Sequence, residues 1–196
     1  GFGTMTFGTM ADEATSLAIL DKGFDAGLFF LDIAEVYPVP PNPKWAGQTE
    51  AIVGKWMQGR RRDSLLIATK IAGPSGGWFR AAVRGGRTSL DRHNVEQAID
   101  ASLVRLGTDY VDLYQTHWPD PDLPAEAVME ALDRAVQAGK VRYVGCSNES
   151  AYGLTKSLWA SDRAGLVRYE TIQNNFSLLN RRFEDAIGVQ AEAVLG

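Results

Sequence analysis

The sequence predicts an α/β fold built on a parallel sheet, and three observations carry that expectation. Short apolar runs alternate with longer stretches of helical spacing in βαβα order. The alternation recurs about every 30 to 45 residues, the length of one βα unit with its connections. Capping side chains stand where the helices of such a fold must begin.

The first run is Gly1 to Phe7, and the following stretch, Ala14 to Phe24, offers Ala18, Ile19 and Phe24 as a buried face. The second run, Leu28 to Leu31, stops at Asp32. Next come a Pro-rich connection, PVPPNPK (Pro38 to Lys44), and a helix-like GQTEAIVGKW, in which Glu50 favours a helix N-terminus. The triplet Arg60-Arg61-Arg62 then reads as a solvated turn rather than a phosphate site. The third run, Leu65 to Thr69, ends in Lys70. A long Gly- and Arg-rich connection, Ala72 to Ser89, carries Trp78 and Phe79. Asp91 caps a helix whose Val95, Ile99, Leu103 and Leu106 share one face. The fourth run, Tyr110 to Thr116, ends at His117. Ala125 to Ala138, Val141 to Cys146, Tyr152 to Asp162 and Tyr169 to Gln173 complete the alternation, with Ser147 or Asn148 expected to cap the fifth helix.

The 196 residues, 45% apolar and 22% charged, suit one globular domain spanning 1–196. A net charge of -4 gives no electrostatic footprint for nucleic acid. No apolar stretch reaches the ~18 residues of a membrane span. The single cysteine, Cys146, lies in an apolar run and reads as a buried, inert thiol, so a reducing, cytoplasmic setting is expected.

Asp32, Lys70 and His117 each end a different run. Parallel strands bring those ends to one face, and Tyr37, one turn beyond Asp32, can fold back over it. A buried ammonium at Lys70 needs a counter-charge, which Asp32 supplies. Lys70 is then expected to favour the phenolate of Tyr37 and lower its pKa from the usual value of about 10. With Tyr37 as general acid and His117 as a second donor to the same oxygen, the group suits reduction of a carbonyl. The residues alone also admit a barrel lyase or isomerase using Lys70 as a Schiff-base amine. Trp118, Trp45 and Trp78 are candidates for a pocket wall. No Rossmann phosphate loop is present: Thr6 stands where GFGTMT would need its last glycine.

Six segments carry a family resemblance: GTMTFG (from Gly3), DIAEVYPVPP (from Asp32), ATK (ending at Lys70), SLVRLGTDYVDLYQTHWPD (from Ser102), AGKVRYVGCSNES (from Ala138) and IQNNFSLLNRRFE (from Ile172). Together they resemble the aldo-keto reductase superfamily over nearly the whole chain. The likeness is strongest to its bacterial Tas-like and potassium-channel β-subunit branch.

The resemblance implies a (β/α)8 TIM barrel, with about six of its eight βα units represented here, that reduces an aldehyde or ketone with NADPH. It implies a catalytic tetrad of Asp32, Tyr37, Lys70 and His117. Cofactor contacts fall on Gly3, Thr4, Met5 and Asp32 and, for the nicotinamide amide, on Ser147, Asn148 and Gln173. The expected partner is a small-molecule carbonyl compound; no metal is implied, and oligomeric state is left open. A non-catalytic, cofactor-sensing subunit and an inactive fragment stand as alternatives. The seventh and eighth strands find no match in AIGVQAEAVLG at the end, and Gly1 opens within a strand-like run, so parts of the protein are expected to lie outside this chain.

Overall fold

A computed structural model describes residues 1–75, 82–181 and 183–184. Six parallel strands lie in sequence order, β1 (Phe2–Gly3), β2 (Phe30–Asp32), β3 (Leu66–Ile71), β4 (Val111–Thr116), β5 (Val141–Ser147) and β6 (Tyr169–Gln173). Helices α1 (Glu13–Asp25), α2 (Gln48–Met57), α3 (Arg92–Leu106), α4 (Ala125–Gln137) and α5 (Ala151–Ala164) connect them. Consecutive parallel strands with a helix between each pair form an open arc of a (β/α)8 barrel. The descriptions of Trp78 and Phe79, and of AIGVQAEAVLG, fall outside the described residues.

Strand β1 is shorter than the apolar run that encodes it. Thr4 leaves the ladder to turn both its N–H and its hydroxyl toward the Asp32 carbonyl (3.2 and 2.8 Å). Asp12, Asp91 and Ser150 cap α1, α3 and α5, each accepting from a backbone N–H in the first turn. The α5 cap is therefore Ser150, not Ser147 or Asn148. Ser147 still belongs to β5, and Asn148 sits in the left-handed region at φ 54, so the chain turns there before the helix can begin.

The core between sheet and helices is built from Leu31, Ile67, Ile71, Val95, Ile99, Leu106, Tyr114, Met129 and Leu132, all fully or nearly fully buried. Helix α2 approaches α3 closely at Gly54, where a Cβ would lie 2.8 Å from the Leu106 Cα and clash with the Arg105 carbonyl. Gly54→Ala is expected to destabilise the fold by about 2 kcal/mol. The backbone overlap outweighs the ~1 kcal/mol gain in helix propensity, and urea denaturation measures the difference. Next to this contact Glu50 is fully buried, taking the Thr69 hydroxyl (2.7 Å) and the Arg105 Nε–H (2.6 Å). Its place in the first turn of α2 is as expected, but it works as one half of a buried ion pair.

Arg62 likewise departs from a solvated turn. Near the N-terminal end of β4, Asp112 accepts from Arg62 (2.7 Å), Arg142 (2.9 Å) and the Ile67 N–H (2.9 Å), and both guanidinium groups lie 4.1 Å from the Tyr110 ring centroid. Arg61 keeps the expected exposed role, paired with Asp63, while Arg60 lies over the Trp56 ring and bonds Asp21. This end of the sheet serves stability. The C-terminal end is left for chemistry.

Candidate active site

Strand β2 delivers Asp32 and β3 delivers Lys70 to the same end of the sheet, and the hydrogen bond from Lys70 Nζ to Asp32 Oδ1 is 2.6 Å long. The ammonium also donates to the Ile33 carbonyl at 2.9 Å and is only 1% exposed. With two of its three donors spent on Asp32 and the Ile33 carbonyl, the amine is held as an ammonium partner of the carboxylate, which weighs against the Schiff-base alternative. The chain beyond β2 turns tightly, with the Tyr37 N–H bonded to the Ala34 carbonyl (3.1 Å), and so returns the phenol ring over Lys70. Lys70 Nζ lies 5.4 Å from the Tyr37 ring centroid. His117, just past β4, meets the same ring edge-on at 5.6 Å between centroids. The four residues expected from the strand ends are thus brought together.

Their electrostatics differ from the expectation in one respect. Burial, reinforced by the carboxylate of Asp32, pushes the Tyr37 phenol up to about 12 rather than down. Burial likewise lowers Lys70, with Asp32 opposing the change, and holds His117 down at about 3, with Lys70 as the lesser cause. The site therefore presents a protonated phenol and a neutral imidazole throughout the ordinary pH range. His117 Nδ1 is buried with no hydrogen-bond partner among the described residues.

Above this group opens a cleft of about 840 Å³, and Tyr37, His117 and Asn148 line it together with Met5, Val39, Pro41, Pro74, Trp118 and Pro121. Trp118 is fixed as a wall by its indole N–H on the Pro74 carbonyl (2.7 Å). Trp45 spends its own indole N–H on the Pro40 carbonyl (2.8 Å) and is not a lining residue. Trp78 falls outside the described residues. Prolines complete the wall: Pro41 comes from the stiff Pro-rich connection after β2, whereas Pro74 and Pro121 follow the ends of β3 and β4.

The remaining candidates gather on the β5–β6 side. Gln173 donates through Nε2 to Asp32 Oδ2 (3.0 Å), the Ser147 hydroxyl donates to the Gln173 carbonyl (2.8 Å), and the Asn148 amide donates to the His117 carbonyl (2.8 Å). Gly3 pairs in register with Asp32, Thr4 is buried against it, and the half-exposed Met5 side chain faces the cleft. The buried Ser147 hydroxyl and the two exposed carboxamides of Asn148 and Gln173, joined in one hydrogen-bonded chain that reaches Asp32 through Gln173, offer the mixed donors and acceptors that a primary amide such as nicotinamide requires. The residues present fit that end of a nicotinamide cofactor. Among the described residues no cluster of three or more His, Cys, Asp or Glu side chains could hold a metal ion. No helix among them is long and apolar enough to cross a membrane.

The family model described as "Aldo/keto reductase family" matches residues 1–189. The chain belongs to this family. It is 43% identical over 204 residues to Protein tas of Escherichia coli, an alignment covering 94% of this chain and 58% of that protein. It is 36% identical to the uncharacterized oxidoreductase YrpG of Bacillus subtilis (93% and 55% covered) and 30% identical to norsolorinic acid reductase B of Aspergillus parasiticus (93% and 48%). The chain thus spans about half the length of these curated relatives. Among solved structures it superimposes on the thermostable aldo-keto reductase Tm1743 in complex with the inhibitor epalrestat. There the TM-score is 0.78 and the identity 27%, covering 95% of this chain and 61% of that one. As in this family, the strands are those of a partial (β/α)8 barrel.

Proposed function

We propose that the protein reduces an aldehyde or ketone to an alcohol with NADPH, in the cytoplasm, with a small-molecule carbonyl compound as its partner. The observation that carries this reading is the convergence of Tyr37, His117 and the Lys70–Asp32 pair at the floor of one apolar cleft. The cofactor, when bound, supplies the hydride that reaches the carbonyl carbon. Ser147, Asn148 and Gln173 would hold its carboxamide, and Gly3, Thr4 and Met5 would line it from β1.

The rest of the chemistry falls to the chain itself. A carbonyl oxygen resting between Tyr37 and His117 accepts one O–H and one imidazole N–H, since a neutral imidazole carries a single donor. As negative charge develops on that oxygen, Tyr37 transfers its proton. A phenol raised to about 12 still gives up a proton readily to an alkoxide, whose conjugate acid is a weaker acid still, comparable to water. The phenolate left behind faces the Lys70 ammonium. Taking the 5.4 Å from Lys70 Nζ to the centre of the phenol ring as the charge separation, an effective dielectric constant of ~20 gives an attraction of about 3 kcal/mol, felt only once the proton has moved. Asp32 keeps that ammonium charged in a site whose burial works against it. Lys70 therefore acts late, on the product of proton transfer, rather than by lowering the resting phenol. The Val36, Val39, Pro41 and Trp118 walls exclude water and suit an uncharged aromatic or alicyclic substrate.

The test uses the full-length protein. Its tryptophan fluorescence should be quenched saturably by NADPH at micromolar concentration, and adding an aromatic aldehyde should consume NADPH at 340 nm. Binding without turnover across a panel of aldehydes and ketones would favour the cofactor-sensing alternative. Absence of binding would overturn both.

A further inference from the structure

Between Asp32 and Tyr37 lies a residue with no part in the proton transfer described above. Glu35 follows Asp32 by three positions and precedes Tyr37 by two, and it is 2% exposed. Its backbone N–H bonds the Lys70 carbonyl (3.2 Å), and its Oε1 accepts the Ala72 N–H (2.7 Å), so it is tied to β3 on both sides of Ile71. The same carboxylate takes both terminal nitrogens of Arg84, at 2.5 Å through Nη1 and 2.9 Å through Nη2. Arg84 is itself held at φ 47, in the left-handed region, while its Nε donates to Asn94 Oδ1 (3.0 Å) in the first turn of α3. Beside the pair, Ala34, Val36 and Ala72 form a small buried cluster on which Tyr37, Val83 and Trp118 pack.

We propose that the Glu35–Arg84 pair is a positioning clasp: it fixes the turn that carries Tyr37 to the end of the strand that carries Lys70. The inference rests on the reductase reading of Tyr37 and extends it to two residues that touch neither substrate nor cofactor. A buried ion pair is weak evidence for stability, because desolvation offsets most of the attraction. What a two-pronged guanidinium–carboxylate contact supplies is a fixed geometry. Here it joins three segments, the β2 turn, the β3 end and the loop into α3, and the placement of the first two sets the spacing between phenol and ammonium. Without it Tyr37 keeps its hydroxyl but loses a fixed position. A misplacement of about 1 Å at a reacting group can cost on the order of 100-fold in rate.

The test is made on the full-length protein with Arg84→Met, which keeps much of the stalk, and Arg84→Lys, which keeps the charge but not the two-pronged contact. Both should lower kcat, by about 10- to 100-fold for Met and less for Lys, while KM and NADPH affinity stay within about twofold. A second readout needs no turnover. The His117 ring protons sit in the ring-current fields of Tyr37 (5.6 Å between centroids) and Trp118 (4.8 Å); Tyr37→Leu gives the value with Trp118 alone, Trp118→Leu the value with Tyr37 alone, and His117→Gln assigns the signal. In Arg84→Met the signals should move toward the Tyr37→Leu position, and in Arg84→Lys part of the way. Unmoved His117 signals with wild-type kcat per folded molecule in both variants would overturn the clasp. Should Arg84→Met fail to fold, Arg84→Lys alone decides. A wild-type protein that reduces no carbonyl, together with Arg84 variants whose His117 signals shift as described, would leave the clasp standing and overturn the reductase reading instead.

Discussion

Replacing Tyr37 with Phe is expected to lower kcat for carbonyl reduction about 1,000-fold, within the range of a lost general acid. The change removes one oxygen and keeps the ring, so the packing on His117 and on the cluster of Ala34, Val36 and Ala72 survives. Thermal or urea stability should stay within about 1 kcal/mol of wild type, and NADPH affinity should be unchanged. Steady-state kinetics beside a cofactor titration makes the comparison. A variant that retains a fifth of the wild-type rate would assign the proton to another group. The raised phenol adds a second signature. Because Tyr37 keeps its proton up to about 12, the wild-type reduction rate should show no loss attributable to this residue between pH 6 and about 10. A resting phenol lowered toward neutrality would give an alkaline decline several pH units earlier.

The chain-end grouping of Asp32, Lys70 and His117 was legible because each residue breaks an apolar run, and a polar side chain that ends a buried strand must emerge at a sheet end. The strand order was legible for the same reason: βαβα alternation leaves consecutive parallel neighbours as the simplest topology. What the sequence could not carry was burial. The direction of the Tyr37 shift depends on how much protein closes over the phenol, and burial there, with the Asp32 carboxylate adding to it, raises the phenol. Arg62 and Arg61 are indistinguishable as letters, yet one reaches Asp112 on β4, fifty residues away, and the other its neighbour Asp63. Ser147, Asn148 and Ser150 are all plausible caps, and only the extent of β5 decides among them. Glu35 gave a signal that went unused. An acid inside the apolar turn IAEVY is as costly to bury as Asp32, and its partner had to be sought among the cations of the Gly- and Arg-rich connection.

Acid should unfold the protein partly through His117. Its folded-state pKa of about 3 lies below the value near 6.5 expected of an unfolded chain, so between those limits the unfolded state binds more protons. Stability from keeping this imidazole neutral is therefore full above about pH 6.5 and is lost as pH falls toward 3. At pH 4.5 the loss amounts to about 2.7 kcal/mol, close to 1.4 kcal/mol for each of the two pH units below 6.5. Denatured carboxylates add their own acid dependence, but that contribution is shared with a His117→Gln variant, which has no imidazole to charge. The gap between the two proteins in urea denaturation should accordingly shrink by about 2.7 kcal/mol between pH 7.5 and pH 4.5. Parallel curves would mean that His117 is solvated in solution and titrates normally. The same burial that makes the fold acid-sensitive keeps His117 a neutral, single-donor imidazole at pH 5 to 6, where a free histidine becomes cationic. A second cation close to Lys70 would stabilise the phenolate of Tyr37 before any substrate oxygen arrived to take its proton. Excluding that charge leaves the proton on Tyr37 until a carbonyl oxygen becomes basic enough to claim it.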